Sequence, residues 1–293
     1  MSPASQQATG GLAALERRID ELFAMPATAP LPDDAEAVVF DLLGALERGD
    51  IRAARRMGDG SWSAVPWVKR GILLAFRAGR LTDLSPADDR SPFAFLDKHT
   101  VPARRVTAAD GVRVVPGGST IRRGTFVAPG VVCMPPMFIN IGASVGAGTM
   151  IDSHALVGSC AQLGERVHLS AAAQIGGVLE PVNASPVIVE DDVLIGGNCG
   201  VYEGTVVRAR AVLAPGVVLT RGTPVYDLVH ETVYRARGDS PLVIPEDAVV
   251  VPGAREVRSG WGAEERLSLQ TPVIVKYRDE KTDTATALER WLR

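Results

Sequence analysis

Few side chains in this chain could do chemistry, and their spacing limits what that chemistry is. Cys133, Cys160 and Cys199 are an odd set without the paired spacing that grips zinc, so they read as thiols of a reducing compartment. The four histidines recur at no fixed interval that would bring three of them onto a metal, and no metal is expected. Asp152 directly follows the apolar Ile151, and Ser159 lies just beyond the apolar Val157. A carboxylate pushed outward beside an inward aliphatic can take a proton from a nucleophile; it can equally cap a turn. The Ser159 hydroxyl can bond a substrate carboxylate or simply face water.

These residues hang on a beat of six that runs from Ile121 to Val225. Stepping by six from Ile121 reaches Ile175, slips by two across Pro181–Pro186, and resumes at Val189. Of the seventeen beat positions sixteen are Ile, Val or Leu, and the other is Cys133. Four residues after each beat the side chain is mostly small or β-branched, as at Thr125, Ala143 and Ala161. Neither a helix nor one long strand has this period. A coil of short strands joined by tight corners does, with the beat residues stacked inside and glycine supplying corner geometry. The fold expected is mainly β, a left-handed parallel β-helix of hexapeptide repeats with about five turns. Irregularly spaced turns would have signalled a β-sandwich instead. On this reading Asp152 points out of the coil.

Around the coil the chain divides into 1–108, mostly helical, 109–235, the repeat, and 236–293, a small mixed C-terminal cap. Residues 1–10 are expected to be disordered. Helical spacing follows from Gly11 to Phe23, then over Val38, Val39, Leu42, Leu43 and Leu46 to a stop at Gly49-Asp50. Two short extended pieces flank Gly58-Asp59-Gly60, a hairpin signal, and Val65–Arg80 reads as a third helix with Pro66 in its first turn. Pro86–Arg105 reads as a linker. Val243–Val251 and Leu267–Tyr277 are strand candidates, and Thr284–Leu292 a closing helix capped by Asp283. Appended segments at both ends would cover the open edges of a β-helix. Net charge is −3, with 31 basic and 34 acidic residues, which advertises no nucleic-acid face. No apolar run of eighteen residues exists and Met1–Gly10 is polar and small, so neither a membrane span nor a signal peptide is expected, and the location expected is cytoplasmic.

The stretches between the beats are more selective than the beat. Arg113-Val-Val-Pro116, Asn140-Ile-Gly-Ala143, Gly148-Thr-Met-Ile-Asp152, Val157-Gly-Ser-Cys-Ala-Gln162, Val167-His-Leu-Ser170 and Ile175-Gly-Gly-Val-Leu-Glu-Pro181 resemble the tetrahydrodipicolinate N-succinyltransferases of bacterial lysine biosynthesis. Outside the coil, Trp67–Phe76 resembles that family's amino-terminal helix and Pro272–Lys276 its carboxy-terminal strand. The resemblance implies transfer of succinyl from succinyl-CoA to the amino group of ring-opened tetrahydrodipicolinate. It also implies a homotrimer with active sites between subunits, and no metal.

Residue by residue, it implies that Asp152 is the catalytic carboxylate that holds the acceptor amine and accepts its proton. Arg113 matches a substrate-binding arginine, with Arg122 a companion, and Ser159 is a further substrate contact. The donor's pantetheine would run where Gly176, Gly177 and Ala172 let a thin chain approach, although small residues also keep corners tight. Lys276 matches a family motif and would meet donor phosphates, with Arg208, Arg210, Arg221, Arg255 and Arg258 also available. The chain departs from the pattern at Gly200, where the family carries a second acidic residue thought to orient the amine. Glu203 is roughly 10 Å further by chain rise and is no stand-in. Either backbone at Gly200 touches substrate or a neighbouring chain supplies the group. Related hexapeptide enzymes use a histidine base, which makes His154 and His168 further candidates. Competing readings are an acetyl-CoA-dependent or other amino-acid or amino-sugar N-acyltransferase, and a non-catalytic scaffold.

Overall fold

The computed structural model describes residues 3–86, 94–280 and 282. Each hexad of the repeat forms a strand only two residues long, whose second residue points inward. Met150–Ile151, Leu156–Val157 and Gln162–Leu163 are three in succession, one on each side of a triangular prism. Strands stack in parallel on their equivalents three hexads away, so Ile121 pairs with Ile139, and Ile139 with Val157. The face carrying Ile121, Ile139, Val157, Ile175, Val201 and Leu219 is called here the first face. The second carries Val127, Val145, Leu163, Val189, Val207 and Ile244, and the third Val114, Cys133, Ile151, Leu169, Ile195, Leu213 and Val250. The chain winds first, second, third, so each edge joins two consecutive hexads. This is the left-handed parallel β-helix that the beat predicts.

The interior is a dry column of aliphatics in which Ile139, Ile151, Val157, Leu169, Ile175 and Ile195 are wholly buried. Each such side chain contributes about 1.5–3 kcal/mol by leaving water. The small residues four places on are buried too, at Thr125, Ala143, Ala161 and Thr205 among others. Their hydroxyls are satisfied by corner carbonyls, Thr149 donating to Gly164 O at 3.0 Å and Thr205 to Tyr202 O at 2.7 Å.

The corner residue three places after the beat takes the left-handed conformation. Glycine fills it at Gly124, Gly130, Gly142 and Gly148, but His154 (φ 62°), Cys160 (φ 66°), Ala172 (φ 58°) and Asn198 (φ 57°) fill it without help. A side chain there costs about 1–2 kcal/mol, so glycine alone does not make these corners; the stacked core over-determines them.

Two excursions interrupt the coil. Leu163 stacks on Val189, a step of twenty-six residues where Val145 to Leu163 takes eighteen, so the apparent slip by two is an eight-residue loop with no strand of its own between Ile175 and Ile188. The second excursion leaves after Leu219 and returns at Val243–Ile244, which stacks on Val206–Val207. Val250 then pairs with Leu213. The repeat therefore continues beyond Val225 into the stretch 236–293, giving first and second faces of six strands each instead of the five turns expected. The excursion hides the last turn from a fixed-interval count. The strand Ala248–Glu256 runs on into a long antiparallel hairpin with Ser268–Tyr277. Tyr277 donates to the buried Asp227 carboxylate at 2.7 Å and ties this hairpin to the excursion. Burial raises the Asp227 pKa, but hydrogen bonds from Tyr277 and His230 outweigh it and leave the carboxyl at about 2.

At the other end, α1 (Pro3–Phe23), α2 (Ala35–Arg48) and α3 (Pro66–Ala78) pack around Ile19, Leu22, Leu42, Leu43 and Ile72. Helix α1 begins at Pro3, not after the disordered tail expected over 1–10; Ala4, Gln6, Gln7 and Ala8 are good helix formers. Gly49 ends α2 with φ 78°, and the hairpin Ala54–Arg56 with Trp62–Ala64 forms where the Gly58-Asp59-Gly60 signal placed it. The stretch read as a linker contains a strand, Leu96–Lys98, paired with Leu81–Asp83. Residues 87–93, and the closing helix expected over Thr284–Leu292 with its cap Asp283, lie outside the described residues. The helical cluster is continuous with Ile141 and Cys160 of the coil. Among the described residues no helix is long and apolar enough to cross a membrane.

Lys69 of α3 is wholly buried, and its ammonium donates to Ala184 O in the first excursion at 2.5 Å. Burial pushes its pKa down from 10.5. Between the lowered value and 10.5 the unfolded chain holds a proton that the folded one does not, so stability rises with pH there. Denaturant titrations from pH 7 upward are expected to show that rise in the wild type and a flatter profile in Lys69→Met. Parallel profiles would contradict it.

Candidate active site

Asp152 sits on the edge where the third face turns into the first. Its backbone N–H donates to Leu169 O at 2.9 Å, and its Oδ1 accepts the Ser153 N–H at 2.8 Å. It is thus a corner cap and an outward carboxylate at once, half-buried, with Oδ2 making no hydrogen bond among the described residues. The next two corners along this edge are Ser170-Ala-Ala-Ala173 and Gly196-Gly-Asn-Cys199, almost without side chains. A bare track therefore leads away from Asp152, and Ala172 lies on it. Gln174 braces it by donating to His154 O at 3.2 Å and Ala172 O at 3.1 Å.

Arg113 is exposed on the third face, two strands below Asp152 in the order Arg113–Val114, Val132–Cys133, Met150–Ile151. That is roughly 10 Å along the prism. Arg122 is not brought to this edge. It begins the opposite edge of the first face, where its guanidinium pairs with Asp97 and lies 5.5 Å over the Phe76 ring. Ser159 is also on that opposite edge, its carbonyl accepting the Val178 N–H at 3.1 Å. The width of the first face separates it from Asp152, so one chain holds the expected site residues on two edges.

On the second of those edges a cleft of about 1040 Å³ opens between the first excursion and the later corners. Gly176, Gly177, Glu180, Tyr202, Glu203 and Arg221 line it, with Asp239 at its rim. Asp152 does not. Three carboxylates against one arginine make this cleft a poor host for phosphates. Of the other cations, Arg208 pairs with buried Glu190 at 2.8 Å and Arg210 with Asp247 at 2.7 Å. Lys276, on the C-terminal hairpin, is paired with Asp279 at 3.2 Å.

Gly200 is buried, and the reason is a neighbour that the sequence reading missed. A Cβ on residue 200 would lie 2.4 Å from Tyr202 Cε2 and 3.0 Å from its hydroxyl, and one on Gly176 would lie 2.7 Å from Tyr202 Cδ1. The ring of Tyr202 lies flat along the first face, across the space that a side chain at 200 would fill. The Gly200 backbone lies under the Tyr202 ring, and its N–H donates to Val217 O at 2.9 Å. A glycine just before a beat, with an aromatic two residues on, was the available signal.

Burial pushes the Cys133 and Cys160 thiols up to about 12, and raises Cys199, so none is a nucleophile near neutral pH. His154 is exposed on the Asp152 corner, whereas His168 stands half-buried on the third face. Among the described residues no group of three or more metal-ligating side chains converges.

Two family models match: the tetrahydrodipicolinate N-succinyltransferase N-terminal region over residues 14–78, and the hexapeptide repeat of succinyl-transferase over 186–221. A 2,3,4,5-tetrahydropyridine-2,6-dicarboxylate N-succinyltransferase of Polynucleobacter asymbioticus is 41% identical, over 89% of this chain and 91% of its own. The chain belongs to the tetrahydrodipicolinate N-succinyltransferase family. Enzymes of the same name from Nitrobacter winogradskyi, at 40% over 92% of both chains, and Rhodopseudomonas palustris, at 38% over 96% and 99%, match nearly end to end. Around Gly200 and Tyr202 the beat of Ile195, Val201 and Val207 is unbroken.

Proposed function

We propose that this protein transfers succinyl from succinyl-CoA to the amino group of ring-opened tetrahydrodipicolinate, releasing CoA and N-succinyl-2-amino-6-oxopimelate. The observation that carries the reading is the half-free Asp152 carboxylate at the foot of a bare track, in a chain of this family. Asp152 accepts a proton from the acceptor's ammonium, and the neutral amine attacks the thioester carbonyl. The thiolate of CoA leaves as the attacking nitrogen sheds its remaining extra proton to solvent, which leaves the amide, and the thiolate is protonated in turn. Positioning supplies most of the rate, because an amine and a thioester held in contact need no further activation. Arg113 takes an acceptor carboxylate, and Ser159, Gly176 and Gly177 line the donor's approach on the other edge. Ala172 lies beneath the pantetheine on the bare track. Lys276 would meet the donor phosphates by exchanging its partner Asp279.

Because these residues occupy two edges of one prism, a complete site needs an edge from a second copy. The assembly we infer is a homotrimer with its sites between subunits, working in the cytoplasm. Thiol release measured with succinyl-CoA against acetyl-CoA tests the donor, and equal rates would remove succinyl from the assignment. Sedimentation tests the assembly: a monomer that turns over at full rate would overturn the shared site.

A further inference from the structure

The helical region and the cleft share one edge of the prism, where the first face turns into the second. Its corners carry Gly124, Gly142 and Cys160 in succession. A Cβ on Gly124 would lie 2.6 Å from Leu43 Cδ2 of α2, and one on Gly142 would lie 2.7 Å from Ile72 Cδ1 of α3. The two helices are therefore seated directly on those corners. At the next rung, above Gly158 and Ser159, the chain leaves for the first excursion, and Glu180, Asn183, Ala184 and Ser185 of that excursion wall the cleft.

Lys69 lies one turn before Ile72 on the same side of α3, and its ammonium donates to Ala184 O at 2.5 Å. The side chain is wholly buried, and among the described residues no carboxylate pairs with it. A buried cation without a counterion is a costly filler for a space that methionine would fill. What lysine adds is a donor for a carbonyl of the cleft wall. Leu179 gives the excursion a second hold, packed against the helical core. From Val178, whose N–H donates to Ser159 O at 3.1 Å, to the return at Ile188 the excursion has no strand ladder to fix its course. The helices fix it instead.

We infer that Lys69 is a positioning residue for acyl transfer: through Ala184 O it holds the wall past which the donor approaches Ser159, Gly176 and Gly177. The inference rests on the proposed acyl transfer and gives the helical region a part in donor binding. Without the ammonium, Ala184 O loses its partner and the wall must be ordered when the donor binds. Asp152 stands on the other edge and keeps its surroundings, so donor binding suffers and the chemical step does not.

Lys69→Met is expected to raise KM for succinyl-CoA about tenfold, with kcat and the acceptor's KM within about twofold, measured by thiol release. Ile72→Val removes packing from the same helix face without touching the wall. It is expected to lower the denaturation midpoint and to leave KM for succinyl-CoA within about twofold. An unchanged KM in Lys69→Met, or an equal rise in Ile72→Val, would overturn the inference. Should Lys69→Met not fold, hydrogen exchange of the wild type decides. Saturating CoA is expected to slow exchange over residues 178–187 and 66–72 together; protection of the excursion alone, or of neither, would overturn it. A wild type that releases no thiol from succinyl-CoA would instead overturn the acyl-transfer reading on which the inference stands.

Discussion

Asp152→Asn is expected to lower kcat by about 10²–10⁴-fold while the protein keeps its stability. The amide oxygen of Asn can still accept the Ser153 N–H that Oδ1 accepts at 2.8 Å, so the corner keeps its cap. What is lost is a proton acceptor, and an ammonium that cannot be deprotonated does not attack a thioester. Turnover by thiol release and the denaturation midpoint should be read on the same preparation. Unchanged turnover would take Asp152 out of the chemistry. A fall in turnover matched by a fall in stability would mean that the side chain serves the corner alone.

Leu169→Ala is expected to cost about 2–5 kcal/mol of unfolding free energy. Leu169 is wholly buried in the middle of the third face, stacked between Ile151 and Ile195. A β-helix has no fluid centre into which neighbours can collapse: each rung is fixed by the backbone ladder of the rungs on either side, so the cavity stays open. Equilibrium denaturation in urea, at fixed protein concentration because an oligomer's stability depends on it, would measure the loss. A cost below about 1 kcal/mol would mean that the rung relaxes, contrary to the ladder argument. Activity should suffer as well, because the Leu169 carbonyl accepts the N–H of Asp152.

The coil was legible because its signal is local. A residue that must point inward every sixth position leaves its mark in the sequence whatever surrounds it, and Asp152 falls next to such a position. The helices α2 and α3 were legible for the same reason, through spacing, Gly49 and Pro66. Excursions defeated the count: eight residues before Ile188 passed for a slip of two, and the return at Val243 was taken for a cap. Nothing in a loop's composition states how many residues separate two rungs that touch. Likewise Arg122 was read as a companion to Arg113, and the sequence does not display its partners Asp97 and Phe76, which come from the preceding region.

The sequence alone determined the prism, the inward column and the outward direction of Asp152, since these follow from periodicity and covalent geometry. Only the tertiary structure decided which edges the site residues occupy, and that the Tyr202 ring fills the emptiness at Gly200. The physical reason is that a space left by a missing side chain belongs to whichever neighbour can reach it. Reach depends on stacking between rungs, which a linear chain does not display.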